Sequence, residues 1–420
     1  AAEYEAQLAN VSTLLTGTEA EVAARTAEIG DQVLEISNRT GVATADLTDG
    51  MYQVVSAFGD SADAAAILET AAKSAAAGNA TTTDSINLLS AVTKGYGDTS
   101  AEAVQQAVIA SLPLLFQYPD PYCRELVAAI ARHEGVNEDT ILCGNGAAEL
   151  IFALCSALKP KKALLPVPSF SEYRSALSCA GCSVEYYTLG QEDDFALTEA
   201  FLPVLNAFDG QLLMLCNPNN PTGQVIPPAL LRKIAALCQQ KHIFLFVDEC
   251  FLDLTQDGDG LSLKSILQEN PNLLLLKAFT KSYGMAGLRL GYCLCGNPAL
   301  LQRMGMCSQA WNVSTPAQLA GIAALQEAEF LRRANEIIQK ERPRMTEALQ
   351  NMGLRVIPSK VNYLLFQAPR TLGAQLLSRG IQIRDCSNYP GLEQGWYRTA
   401  VKLPQQNQLL LDAIKEVVNG

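Results

Sequence analysis

The most informative stretch of the sequence is residues 273–291, which read LLLLKAFTKSYGMAGLRLG. The apolar run Leu273 to Leu276 is typical of a buried strand, and Lys281 follows it closely. Small residues and Arg289 come next at a fixed offset. Because burial lowers the pKa of an amine, a buried lysine here would be a reactive one. The alternative is a solvated lysine at the end of a strand.

Short apolar runs alternate with helical patterns from Tyr118 to the C-terminus. Alternation at this spacing predicts an α/β sheet whose strands are joined by crossover helices. In such sheets ligands bind at the carboxyl ends of the strands, and most of the polar residues discussed below follow a predicted strand. The predicted strands are Ala163–Pro166, Val184–Tyr187, Leu212–Cys216, Ile243–Val247, Leu273–Leu276 and Gly291–Cys295.

Three further segments carry residues suited to bind a ligand. Residues 144–149, GNGAAE, precede an apolar helix, and glycines there expose backbone N–H groups to an anion, although a plain turn is the alternative. Residues 217–223, NPNNPTG, form a rigid turn that can aim the amide of Asn220. Asp248 ends an apolar strand, where a buried carboxylate needs a cationic partner or several hydrogen bonds. A helix N-cap is the alternative for Asp248.

Together these motifs resemble those of class I/II aminotransferases, which use pyridoxal 5'-phosphate (PLP). The resemblance covers about residues 111–420, and it is greatest to threonine-phosphate decarboxylases and histidinol-phosphate aminotransferases. It implies PLP fold type I, an α/β fold with a large mixed-sheet domain and a small α/β domain. It also implies a small phosphorylated amino acid as substrate, a homodimer, and no nucleic-acid or membrane partner.

The resemblance implies a role for each residue that matches a family motif. Lys281 would bind the cofactor covalently and act as acid and base, and Asp248 would keep the pyridine nitrogen protonated. Phe170 would stack on the cofactor ring, and a phenylalanine of the hydrophobic core is the alternative. The cofactor contacts would come from Gly146, Ala147, Ala148, Phe170, Asn220, Asp248, Thr280, Lys281 and Arg289, and Tyr118 would reach the cofactor phosphate of the other subunit.

The charged groups of the substrate would be bound near the C-terminus. Arg398 lies in residues 396–401, WYRTAV, and would clamp a carboxylate through a bidentate pair. A surface salt bridge is the alternative for Arg398. Asn362 and Arg384 complete the substrate-binding set that the resemblance implies.

The chain departs from the family pattern at Ala278, at Phe251 and before residue 111. Ala278 stands where the family often has a serine or threonine that bonds the phosphate, so we expect somewhat weaker phosphate binding. Phe251 stands where aminotransferases commonly have a tyrosine, and the resemblance implies that phenylalanine here is typical of phosphothreonine decarboxylases. A different module replaces the N-terminal segment that lines the family's substrate pocket, which predicts lower activity.

The first 107 residues differ from the remainder in charge and composition. They contain 15 acidic and 4 basic residues, a balance of −11, whereas residues 108–420 contain 28 and 27, a balance of −1. All 12 cysteines, all 19 prolines and both tryptophans lie in the second part. We therefore predict an all-α module at 1–107, a PLP-binding large domain at 108–315 with a leading segment at 108–135, and a small C-terminal domain at 316–420.

Ala-rich helical patterns run through residues 1–107. Amphipathic periodicity predicts helices at Leu47 to Phe58, Ala62 to Ala77 and Ser85 to Lys94. The first of these runs and the helices after it resemble the core of phage tail tape-measure proteins; a generic Ala-rich helical segment is the alternative. This resemblance implies an assembly role without chemistry and a chimeric chain.

The bulk composition excludes several classes of function. A chain of 420 residues with 49% hydrophobic residues can bury at least two cores, and no apolar stretch is long enough to span a membrane. The lack of a basic and apolar signal sequence predicts a cytoplasmic protein. The one C-x-x-C pair, Cys179 and Cys182, lacks the further ligands of a zinc site, so we expect reduced thiols and no metal.

The sequence therefore predicts a PLP-dependent enzyme that acts on a phosphorylated amino acid. Decarboxylation of L-threonine O-3-phosphate is the main hypothesis, and transamination of histidinol phosphate is the alternative. The choice depends on which substrate bond stands perpendicular to the cofactor ring, and that geometry is not encoded in a motif. An alternative of another class is a structural phage-tail protein that carries an inactive enzyme remnant.

Overall fold

The computed structural model describes residues 2–15, 17–58, 60, 64–65, 67–69, 71–72 and 102–419. The chain divides into two compact units. The first combines residues 1–122 with 284–288 and 314–324, and the second combines residues 123–283, 289–313 and 325–420. The predicted helix Ser85 to Lys94 and most of the predicted helix Ala62 to Ala77 lie outside the described residues.

The regular elements that the structure describes in the first unit are all helices. Thr18 caps one helix through a capping box with Glu21, and Gly41 ends that helix with a left-handed φ of 74°. The predicted helix that ends at Phe58 is confirmed. The α-helices described in this unit are Ala2–Ser12, Glu19–Thr40, Thr44–Phe58, Glu102–Ser111 and Thr315–Ala324.

The core of the first unit joins residues from both sides of position 107. Ile109, on the helix Glu102–Ser111, is buried in the same apolar cluster as Val11, Ile29 and Met51. Residues 107 and 108, where the composition changes, both lie inside this helix. The change of composition therefore falls within one packed element of the first unit.

The second unit contains a seven-stranded mixed sheet in the order β1-β7-β6-β5-β4-β2-β3. Strand β7 runs antiparallel to both of its neighbours, and the other pairs in the sheet are parallel. The six predicted strands are all present, with bounds within two residues of those predicted. The strands are β1 Ile141–Asn145, β2 Lys162–Val167, β3 Ser183–Thr188, β4 Leu212–Cys216, β5 Phe244–Asp248, β6 Leu273–Ala278 and β7 Leu290–Cys295.

Helices connect these strands and cover the sheet. The central strands β4, β5 and β6 are buried along their whole length, as expected for continuous apolar runs in the middle of a largely parallel sheet. The helices are Arg124–Glu134, Gly146–Leu158, Ser171–Cys179, Phe201–Ala207, Pro228–Gln240, Phe279–Ser282 and Pro298–Met306.

A four-stranded antiparallel sheet, in the order β10-β11-β9-β8, forms a separate layer of the second unit. Its apolar core includes Leu364, Phe366 and Tyr397. The strands are β8 Arg355–Val356, β9 Tyr363–Gln367, β10 Arg384–Asp385 and β11 Trp396–Ala400. The helices of this layer are Ala328–Asn351, Leu372–Leu377 and Pro404–Asn419.

Candidate active site

A cavity of about 320 Å³ lies at the carboxyl ends of the parallel strands. The chain leaves β2, β4, β5 and β6 at this edge, and the helix after β1 begins there, as expected for a ligand site in such a sheet. Ten of the predicted site residues line it: Ala147, Ala148, Phe170, Asn220, Asp248, Thr280, Lys281, Arg289, Arg384 and Arg398.

Lys281 extends into the cavity from the short helix that follows β6. The sequence suggested a buried lysine, but the side chain of Lys281 is exposed, because it opens into the cavity and not into the core. Surrounding protein atoms desolvate the ammonium group and lower its pKa. The charges of Arg398 and Arg289 lower this pKa further, whereas Cys250 and Asp248 raise it. The Lys281 Nζ lies 5.4 Å from the ring centroid of Phe251.

Asp248 is buried at the end of β5 and accepts two hydrogen bonds. The Tyr173 hydroxyl donates to its Oδ2 at 2.5 Å, and the Cys250 amide donates to its Oδ1 at 2.9 Å. Burial raises the pKa of Asp248. Hydrogen bonds from the Cys250 thiol, the Tyr173 hydroxyl and the Cys250 amide oppose the rise, as does the charge of Lys281. The Cys250 contact closes a local turn ahead of the short 3-10 helix Leu252–Leu254, so Asp248 does not cap a helix.

Asn220 is held in the turn that follows β4. The neighbouring Asn219 fixes this turn, since its Nδ2 donates to the Pro168 carbonyl at 3.0 Å and to the Thr222 hydroxyl at 2.9 Å. The Oδ1 of Asn220 accepts a hydrogen bond from Arg398 Nη1. Arg398 also lies 5.2 Å from the ring centroid of Tyr363. Because Arg398 belongs to β11, the four-stranded sheet supplies a guanidinium to the cavity.

The helix Gly146–Leu158 begins at the cavity, beside Arg289. Gly146 has a φ of 78°, and a Cβ on it would lie 2.6 Å from Arg289 Nη2, so the guanidinium lies directly against the start of the helix. A Cβ on Gly291 would lie 2.6 Å from the Ala147 amide nitrogen, so this glycine lets β7 pack against the same turn. A helix N-terminus and a guanidinium together form a site for an anion such as phosphate.

The family model for aminotransferase class I and II matches residues 83–414 of the sequence. The match begins earlier in the chain than the motif resemblance, which starts at about residue 111. The chain belongs to the aminotransferase class I and II family. The threonine-phosphate decarboxylase of Salmonella typhimurium is 38% identical over 322 residues, which cover 76% of this chain and 88% of that relative.

Solved structures of the family share the fold. The histidinol-phosphate aminotransferase of Clostridium acetobutylicum superposes with a TM-score of 0.71 at 28% identity, over 76% of this chain and 95% of that one. The histidinol-phosphate aminotransferase of Sinorhizobium meliloti, solved in complex with pyridoxal-5'-phosphate, gives 0.70 at 24% identity, over 76% and 88%. The predicted α/β fold of PLP fold type I is therefore confirmed.

The residues around the cavity fit the chemistry of PLP. The helix start and Arg289 suit its phosphate, and a Cβ at Gly146 would occupy space that this arginine now fills. Asp248 is a buried carboxylate without an ion-pair partner among the described residues, so a cationic ring nitrogen would complement it. Desolvation lowers the pKa of Lys281, which favours the neutral amine that attacks an aldehyde.

Three predicted site residues do not line the cavity. Gly146 lies against the guanidinium of Arg289 but is not part of the lining. Asn362 accepts a hydrogen bond from the Val401 amide through its carbonyl, and its side-chain Oδ1 is buried without a hydrogen-bond partner in the described structure. Tyr118 belongs to the first unit, where its side chain is exposed.

Sequence reasoning missed several residues of the site. Ser171, Cys216, Cys250 and Tyr389 also line the cavity. Tyr173, which supports Asp248, lies three residues after Phe170 at the start of the helix Ser171–Cys179. That helical spacing was the available signal, because residues three apart on a helix share a face.

Proposed function

We propose that this chain is a PLP-dependent enzyme that decarboxylates L-threonine O-3-phosphate. The observation that carries the proposal is the arrangement of Lys281 and Asp248 in one cavity with three guanidinium groups, those of Arg289, Arg384 and Arg398. The choice of substrate is supported by the 38% identity with the threonine-phosphate decarboxylase of Salmonella typhimurium.

Each part of the cofactor has a matching group in the cavity. Lys281 would attach to the aldehyde, and Asp248 would pair with the protonated ring nitrogen. The phosphate would be bound by Arg289 and by the backbone N–H groups at the helix start. The remaining contacts would come from Ala147 and Ala148 at that helix start, Phe170 on the ring face, Asn220 at the ring hydroxyl, and Thr280 beside the lysine.

Bound PLP supplies an electron sink for bonds broken at the α-carbon of an amino acid. The chain supplies the binding of the substrate and the transfer of protons. A phosphorylated amino acid carries two anionic groups, which require two separate cationic partners. Arg398 and Arg384 would bind them, and the Lys281 Nζ, with its lowered pKa, would move the proton at the α-carbon.

Transamination of histidinol phosphate is the second candidate. The resemblance to the histidinol-phosphate aminotransferase of Clostridium acetobutylicum favours it. Against it stands Phe251, which lines the cavity and has no hydroxyl to donate to the cofactor ring. The two reactions need the same cofactor residues, so only the products separate them.

We also propose that the enzyme is a homodimer in which Tyr118 reaches the other subunit. Support comes from a run of exposed apolar and aromatic side chains in the first unit, a surface of the kind that a second subunit covers. These residues are Leu114, Leu115, Phe116, Tyr118 and Tyr122. The resemblance of residues 1–107 to tape-measure proteins stays a prediction, and we propose no chemistry for them.

The proposal is tested by incubating the protein with PLP and then with O-phosphothreonine. We expect visible absorption from the bound cofactor and release of carbon dioxide, both absent in Lys281→Ala. Amino transfer from histidinol phosphate to 2-oxoglutarate, without carbon dioxide release from O-phosphothreonine, would overturn the decarboxylase assignment and favour the second candidate.

A further inference from the structure

The phenol of Tyr173 contacts Asp248, a buried carboxylate that lines the cavity. Tyr173 is fully buried, and its hydroxyl is 2.5 Å from Asp248 Oδ2. The other carboxylate oxygen accepts from the Cys250 amide. Among the described residues, each oxygen of Asp248 thus accepts one of these two bonds, and the Cys250 thiol is a further side-chain donor to the carboxylate.

Packing holds the ring of Tyr173 in place. It makes edge-to-face contacts with Phe170 at 5.6 Å and with Phe246 at 5.7 Å between ring centroids. Phe170 is the N-cap residue of the helix Ser171–Cys179, and Phe246 lies in the buried strand β5. The hydroxyl therefore has a fixed direction, and replacement of tyrosine by phenylalanine would remove the hydroxyl but keep both ring contacts.

The Tyr173 hydroxyl is one of the few groups that stabilise the charge of Asp248. Among the described residues, no lysine or arginine forms an ion pair with Asp248, so its charge depends on hydrogen bonds and on the more distant Lys281. Burial and the neighbouring Asp248 charge raise the pKa of Tyr173, which keeps the phenol protonated as a donor. The titratable groups that face Asp248 are Tyr173, Cys216, Cys250, Lys281 and Tyr363.

We propose that Tyr173 is a positioning residue for Asp248, whose carboxylate it orients and keeps ionised toward the ring nitrogen of the cofactor. This inference rests on the proposed function, because that function supplies the ring nitrogen. A hydrogen bond to a charged acceptor is among the stronger ones, and a buried carboxylate has few other sources of stabilisation.

The chain offers a closely matched control in Tyr292. Its hydroxyl donates at 2.5 Å to another buried carboxylate, Glu134 Oε1, away from the cavity lining. Tyr292→Phe and Tyr173→Phe therefore delete the same group from the same kind of contact. Any general effect of losing a buried hydrogen bond will be present in both variants.

The first measurement uses the protein without PLP. Infrared titration follows the carbonyl stretch of protonated Asp248, which is assigned by its loss in Asp248→Asn. In Tyr173→Phe we expect the midpoint to move upward by about one to two pH units, because a donor to the ionised form is lost. Tyr292→Phe should leave that midpoint in place. An equal midpoint in the two variants would overturn the proposal.

The second measurement is the dissociation constant of PLP as a function of pH. Because the protonated ring nitrogen prefers an ionised Asp248, affinity should weaken as the pH falls through the pKa of this group. In Tyr173→Phe this loss should begin about one to two pH units higher than in the parent or in Tyr292→Phe. Profiles that coincide would overturn the role toward the cofactor. Failure of the parent protein to bind PLP would instead overturn the proposed function, and the infrared titration would still decide whether Tyr173 controls Asp248.

Discussion

Lys277 and Lys281 lie four residues apart but in opposite electrostatic environments. Lys277 is 3% exposed, and its Nζ lies 3.0 Å from Glu134 Oε1, with Asp253 and Asp259 at 3.8 and 3.9 Å. Lys281 opens into the cavity, and no carboxylate among the described residues forms an ion pair with it. The more deeply buried lysine is the one surrounded by acids.

The two amines consequently shift in opposite directions. Burial opposes the charge of Lys277, but Asp253, Glu134 and Glu249 together raise its pKa above the ordinary value. Desolvation lowers the pKa of Lys281, and no paired carboxylate reverses that effect. Pairing, not burial alone, decides which lysine keeps its proton. Only the amine that loses its proton readily can attack an aldehyde.

The largest effect should follow from Lys281→Ala. We expect loss of covalent cofactor attachment and a fall in carbon dioxide release of about 10³-fold or more, since both the attachment and the proton transfer depend on this amine. The unfolding free energy should change by less than about 0.5 kcal/mol, because the side chain is exposed. Steady-state assays and urea unfolding measure the two quantities. Activity within ten-fold of the parent would contradict the assignment.

Lys277→Met should give the converse result. Removal of this ammonium leaves the buried Glu134 with Lys264, 2.8 Å away, as its remaining ion-pair partner, and should lower the unfolding free energy by about 3–5 kcal/mol. Lys162→Met is the control, because that lysine pairs with Asp209 at the surface, where solvent screens the pair, and its loss should change the unfolding free energy far less. Equal losses in urea unfolding would show that burial of the Lys277 pair has no special weight.

Asp248→Ala should separate cofactor binding from chemistry. We expect PLP to remain bound through Lys281 and Arg289, while carbon dioxide release falls by about 10²–10³-fold, or about 2.7–4 kcal/mol. The reason is that the ring nitrogen loses its counter-charge. Absorbance of the bound cofactor and the rate of product release provide the two readings. Activity within a factor of two of the parent would contradict the role of Asp248.

Glu134 should make stability depend on acid pH. Burial opposes its ionisation, but the charges of Lys277 and Lys264 and the hydroxyl of Tyr292 lower its pKa to about 2. This value is below that of an unfolded glutamate, about 4.3, so the stabilisation is complete above that pH and is lost as the pH falls toward 2. Glu134→Gln should be less stable at pH 7 by at most about 3 kcal/mol, and the difference should shrink below pH 4 in urea unfolding. A pH-independent difference would contradict the ion pair.

Sequence patterns predicted the central sheet well and the polar contacts poorly. Strands β4 to β6 are continuous apolar runs, which a buried parallel strand requires. Strand β1 reads ILCGN, and β8 and β10 have two residues each, so they carry no periodic signal. The family motifs indicated ten cavity residues. They did not indicate Tyr173, which donates to Asp248 from 75 residues away in sequence. Side-chain contacts between distant segments depend on the folded geometry and leave no local pattern.

The most direct test of the central claim is to map the lysine that carries PLP. After borohydride reduction and trypsin digestion, modification of Lys281 would block cleavage there and leave a labelled peptide of residues 278–289, while cleavage after Lys277 would proceed. We expect that peptide to carry the label, as measured by mass spectrometry. A label on Lys277, or on any other lysine with Lys281 unmodified, would contradict the account.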